Sequence, residues 1–167
     1  MKEDITFPPV GKSLPVPNLL TTTNILATLG SFLFWMDFYL LALILNPKQS
    51  SEWNCRIVTF VHGVISALLS LAVCFYFGPW PFNYIAQPCN DMHLAIVLFS
   101  FGYFIFDFSW CLWSRSESVV MLVHHIVSIS GFVLVLCTGM YGAEVVATLG
   151  GSEVTNPLLQ ARCVACV

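Results

Sequence analysis

Charge is what this sequence has least of. Asp, Glu, Lys and Arg make up 9% of its 167 residues, against about a quarter in an ordinary soluble domain. The six basic residues are scattered and the net charge is -3. There is therefore no basic surface for nucleic acid and no polybasic patch for anionic lipid. Asn-X-Ser/Thr sequons are missing as well, so glycosylation cannot orient the chain. A disulfide framework is not legible in the seven cysteines. Cys74, Cys111 and Cys137 fall inside apolar runs and Cys55 at the edge of one, where cysteine packs as a small hydrophobe. Cys163 and Cys166 form a lone C-x-x-C at the C-terminus, without the partner ligands a zinc or redox site needs. The closing VACV does not place cysteine for prenylation. Neither a metal site nor a cofactor is expected from these residues.

Apolar side chains are plentiful: 57% of residues are hydrophobic and 14% aromatic, with a mean hydropathy of +0.82. The chain reads as all-α, a multi-span helical bundle embedded in membrane with lipid as its solvent. Residues 1–21 form a polar, proline-containing tail. The run at 22–45 is too long for a signal-peptide core and has no clean small-residue cleavage site, so it reads as a retained first span. Runs at 55–77, 92–113 and 118–141 follow. Each is long enough, at roughly 33 to 36 Å, to cross a hydrocarbon core of about 30 Å. The turn SRSE before the last run gives Ser114 and Glu117 capping-box spacing. Residues 142–162 hold two acids, Gly-Gly and Asn-Pro but no complete span, and are expected as a short or re-entrant helix that needs protein around it. The positive-inside rule places Lys48, Arg56 and Arg115 on the cytosolic side.

Ionisable residues inside spans are expensive and face a bundle interior or a watery cavity. His62 lies early in the second apolar run, Asp107 near the end of the third, and His124 and His125 early in the fourth. Because successive spans alternate in direction, these four side chains fall about 9 to 11 Å from one membrane face. Such alignment predicts a shared polar pocket. Asp107 needs a donor or cation, and one of the two histidines is the expected source. Tyr103, one turn before Asp107, is a second. The histidines point about 100° apart on a helix, so one is expected in the pocket and the other against a neighbour. Ser128 lies one turn from either. Stacked histidines at two depths, as a two-haem arrangement requires, are not present.

The order GYFIFD (102–107), a short polar turn, HH (124–125) and GSEVTNPLLQAR (151–162) resembles the TLC domain. That multi-span family includes the ceramide synthases and the translocating-chain-associated membrane proteins. SEWNCRIVTFVHG and GPWPF make the chain most similar to the small branch called TLC domain-containing proteins. The resemblance covers residues 50–162, leaves 163–167 as a tail outside it, and implies helices around a lipid-accessible cavity. In the family the domain runs on through further spans, which makes this chain an incomplete TLC domain, expected as a truncated or alternatively spliced form.

In ceramide synthases the paired histidines are followed by L-H-D-x-S-D, and His and Asp together are taken as catalytic. This chain has Gly151-Ser152-Glu153-Val154-Thr155-Asn156 in that place, so only His124 and His125 carry over. The resulting expectation is a non-enzymatic protein that binds a membrane lipid or regulates membrane lipid composition, in the endoplasmic reticulum or the plasma membrane. Its pocket would comprise His62, Tyr103, Asp107, His124, His125, Ser128, Glu153 and Asn156. The first alternative is an N-acyltransferase of the ceramide-synthase kind, with His124 or His125 as base and Asp107 or Glu153 orienting it. The second is a truncated product without function.

Overall fold

The computed structural model describes residues 18–78, 80–81, 85–115 and 117–165, with side chains as far as residue 160. The proline-rich residues 1–17 and the Cys163 and Cys166 side chains lie outside the described residues. Among the described residues, four helices are long and apolar enough to cross a membrane, and each begins where a polar side chain can accept from an otherwise unpaired N–H. Helix α1 (Thr22–Leu45) is capped by Thr21, α2 (Ser51–Ala72) by Ser50, α3 (Asp91–Ser114) by Asn90 and α4 (Val119–Thr138) by Ser118. The Ser114–Glu117 capping box does not form. Ser118 takes the cap, accepting from the Met121 N–H, while Glu117 lies 3.6 Å from Arg56 on α2. Helix α2 continues through one π-helical turn, Val73–Phe77.

Arg115 ends α3 at φ 53°, in the left-handed region that a residue with a Cβ enters at a cost of about 1 to 2 kcal/mol. We therefore expect Arg115→Gly to raise the thermal midpoint in detergent by a few degrees, about 1 kcal/mol. A lowered midpoint would mean that Arg115 contributes more through its side chain than it costs through its backbone.

The C-terminal segment forms two helices end to end, α5 (Gly142–Glu153) and α6 (Asn156–Ala165). The pair runs antiparallel to α2. Gly150 meets Ser70, Pro157 meets Gly63, and Gln160 reaches Arg56. Pro157 falls in the first turn of α6, where a missing N–H costs nothing. At the opposite end of the bundle, the loop before α3 is tied to the α4–α5 turn. Cys89 N–H donates to Gly139 O (2.8 Å), and Tyr141 N–H to Gln87 O (3.2 Å).

The core is aromatic and lies mainly between α1, α2, α3 and α4, with Trp35, Tyr103, Phe104 and Phe132 almost fully buried. Helix α1 packs on α3 through a small-residue contact. Ser31 stands against Gly102, and its hydroxyl donates to Phe99 O at 2.6 Å. The outer face of α1 is open, with Leu26, Leu33, Ile44 and Asp37 exposed, while Thr28, Trp35, Tyr39 and Ala42 are buried on its inner face.

Candidate functional site

Helix starts decide the depths of the polar residues. Because Ser50 caps α2, that helix begins at Ser51, four residues before the apolar run, and His62 is eleven residues in, about 16 Å. Asp107 lies seven residues from the end of α3 and His125 six from the start of α4, each about 10 Å deep. The expected single layer is therefore two, and they differ in chemistry.

The shallower layer is the Asp107–His125 pair. His125 Nε2 lies 2.7 Å from Asp107 Oδ2, and His125 Nδ1 lies 2.7 Å from the Met121 carbonyl one turn earlier. A carbonyl can only accept, so Nδ1 carries the proton and the ring is fixed in rotation. Cys55 of α2 donates to the other Asp107 oxygen at 3.7 Å. Cys111 stands one turn after Asp107, and its sulfur, the Asp107 carboxylate and a His125 nitrogen all lie within 4.8 Å of one another. Beside this group is a cavity of about 50 Å³, with Cys55, Asp107 and Cys111 on its wall and Arg56, Glu117 and Gln160 towards the membrane surface.

The deeper layer holds His62, which is wholly buried. Its ring stacks on Tyr103 with centroids 3.6 Å apart and planes 8° from parallel, and Trp35 closes the edge at 5.4 Å. His62 Nε2 is 3.4 Å from Ser100 Oγ, while Nδ1 faces Glu153 at 3.8 Å, too far for a hydrogen bond. The Tyr103 hydroxyl meets Thr59 rather than Asp107. Neither His62 nor Tyr103 borders a described cavity, because aromatic rings fill the space around them.

From Glu153 a line of polar contacts runs outward along α6. Asn156 Nδ2 donates to Glu153 (3.0 Å), Gln160 Nε2 to Asn156 (3.3 Å), and Arg56 to Gln160 (3.3 Å) and Glu52 (2.6 Å). Sequence reasoning missed Cys55, Arg56, Cys111 and Gln160. The spacing Glu153, Asn156, Gln160 is the i, i+3, i+7 pattern of one helix face and is the signal that would have found the last of them.

His124 and Ser128 belong to neither layer. Turned away from Asp107, they line a groove of about 280 Å³ between α4 and α5 together with Gly131, Phe132, Thr148 and Ser152. The His124 ring has no hydrogen-bond partner among the described residues. The groove is polar at His124, Ser128 and Ser152, apolar at Gly131, Phe132 and Val145, and polar again at Glu144.

Among the described residues, four apolar helices, a discontinuous C-terminal helix pair and buried His–acid contacts define a multi-pass α-helical membrane protein with polar groups buried in its interior. Its family follows from comparison: the TLC domain model matches residues 52–166, and the chain belongs to that family. It is 32% identical to TLC domain-containing protein 2 of Danio rerio over 118 residues, which is 69% of this chain and 47% of that protein. Identity is 30% over 102 residues to TLC domain-containing protein 1 of Gallus gallus, covering 58% of this chain and 38% of that one. TLC domain-containing protein 4-B of Danio rerio is 26% identical over 98 residues. The chain thus spans less than half the length of these relatives. No solved structure matches it.

Proposed function

We propose that this protein binds a membrane lipid in the α4–α5 groove and acts in lipid handling or regulation without itself catalysing a reaction. The observation that carries this reading is the groove's graded lining. His124, Ser128 and Ser152 offer hydrogen-bonding groups at one end, Gly131, Phe132, Val145 and Leu149 offer apolar contact further in, and the Glu144 carboxylate lies beyond them. A lipid matches that order, polar group first and chain behind it. The Asp107–His125 contact ties the α4 wall of the groove to α3.

The test is lipid retention. A Cβ on Gly131 would approach only Val145 Cγ2, at 4.0 Å, so a larger side chain there extends into the groove. Protein purified in mild detergent, with co-purified lipid counted by mass spectrometry, should lose several-fold of its lipid in Gly131→Phe and in His124→Ala. Retention equal to wild type in both variants would overturn the reading. N-acyl transfer has one observation in its favour, the accessible His124 imidazole on the groove. Its signature is an N-acylated product from acyl-CoA and a long-chain base, lost in His124→Ala.

A further inference from the structure

The Asp107–His125 contact contains an electrostatic contradiction that a proton or a metal ion must resolve. His125 Nδ1 faces a backbone carbonyl at 2.7 Å and so holds that ring's proton. In a neutral imidazole the Nε2 lone pair then points at a carboxylate oxygen 2.7 Å away. Lone pair against lone pair is repulsive in an apolar interior, and only a cation between the two atoms makes the contact favourable. Nδ1–H bonded to a carbonyl is also the arrangement that orients a metal-ligating histidine, presenting Nε2 to the metal.

The surrounding donors decide which cation fits. Asp107, Cys111 and His125 present an oxygen, a sulfur and a nitrogen within 4.8 Å of one another, all from buried residues. Cys55 places a second sulfur 3.7 Å from Asp107 Oδ1. Zinc takes Cys sulfur at about 2.3 Å and His nitrogen or carboxylate oxygen at about 2.0 to 2.2 Å, in tetrahedral geometry. Ligand atoms around one ion then stand roughly 3.3 to 3.8 Å apart, so the His125–Asp107 contact opens by about half an ångström to admit it. Two thiolates and an imidazole disfavour magnesium and calcium, which select oxygen ligands. The 50 Å³ cavity on the Cys55, Asp107 and Cys111 side gives the ion room, and its rim at Arg56 and Glu117 gives a route from the membrane surface.

We propose that Cys55, Asp107, Cys111 and His125 form a structural zinc site that pins α2, α3 and α4 together below the membrane surface. Cys55 stands outside the three clustered donors and touches only Asp107, so its sulfur must swing in to complete the set; with it the four positions are filled by protein, a closed site that holds helices rather than one that activates water. The inference is independent of the lipid groove, since none of the four residues lines it.

Full-length protein purified from membranes in mild detergent should carry about one zinc per chain by elemental mass spectrometry. Chelator-treated protein given cobalt should develop an intense thiolate-to-cobalt absorption with tetrahedral visible bands. Cys55→Ser with Cys111→Ser should abolish zinc and the cobalt band; Cys163→Ser with Cys166→Ser should leave both intact. Zinc below about one-tenth per chain with no cobalt–thiolate band means that a proton occupies the contact and overturns the site. Zinc that survives loss of Cys55 and Cys111 overturns it equally.

Discussion

Asp107→Ala is expected to lower the thermal midpoint in detergent by about 10 °C, corresponding to about 3 kcal/mol. The reason is asymmetry. With both partners present, the 2.7 Å contact compensates the burial of two polar groups. Removing Asp107 leaves His125 Nε2 and the Cys55 thiol in a dry interior without their acceptor. His125→Ala strands the carboxylate and should cost a similar amount. Asp107→Leu combined with His125→Leu removes both polar groups and should recover most of the loss, because well-packed apolar residues replace a buried pair at little net cost. The cycle is read in chelator-treated protein, so the coupling belongs to the two side chains alone. A coupling energy below about 0.5 kcal/mol would show that the contact is not a stabilising unit.

Gly102→Leu is expected to detach α1 from the bundle. A Cβ at residue 102 would stand 2.5 Å from Ser31 Cβ and 2.6 Å from the Phe32 backbone nitrogen. The second of these cannot rotate away, so the helices themselves must separate. Overpacking of this kind costs about 1 to 3 kcal/mol or more, and here it falls on the contact that seats Trp35 over His62. Gly102→Ala should already lower the midpoint, and Gly102→Leu should reduce monodisperse yield several-fold. Adding Ser31→Gly to Gly102→Ala should restore part of the loss, because it removes the struck Cβ but leaves the Phe32 backbone. A Gly102→Ala protein indistinguishable from wild type would mean that α1 is not anchored there.

The two expected results bear on the lipid-binding proposal differently. Asp107 and His125 brace α3 against α4, so their loss should disturb the groove through its wall, whereas Gly102 lies on the far side of the core. Lipid retention that falls with Asp107→Ala but survives Gly102→Ala is the expected pattern for a groove supported through the α3–α4 contact and not through α1.

Much of the architecture is legible in the sequence. Low charge and four long apolar runs dictate a helical membrane bundle, since a chain in lipid must satisfy its backbone hydrogen bonds within each segment. The order of GYFIFD, HH and GSEVTNPLLQAR was enough to reveal the TLC resemblance, and His62, Asp107 and His125 stood out because polar side chains in such runs are costly. Periodicity, however, carries neither the axial start of a helix nor its rotation against its neighbours. Ser50 starts α2 four residues before its apolar run, which drops His62 into a deeper layer than Asp107. Rotation of α4 turns His125 inward to Asp107 and leaves His124 on the groove. Cys55 reads as a small hydrophobe because nothing local distinguishes a packed thiol from one aimed at a carboxylate 52 residues away. What the residues alone determined is the class, the family and the stock of polar groups. Which of those groups meet was decided only when helices of fixed phase packed together, because distances across helices depend on atoms far apart in the chain.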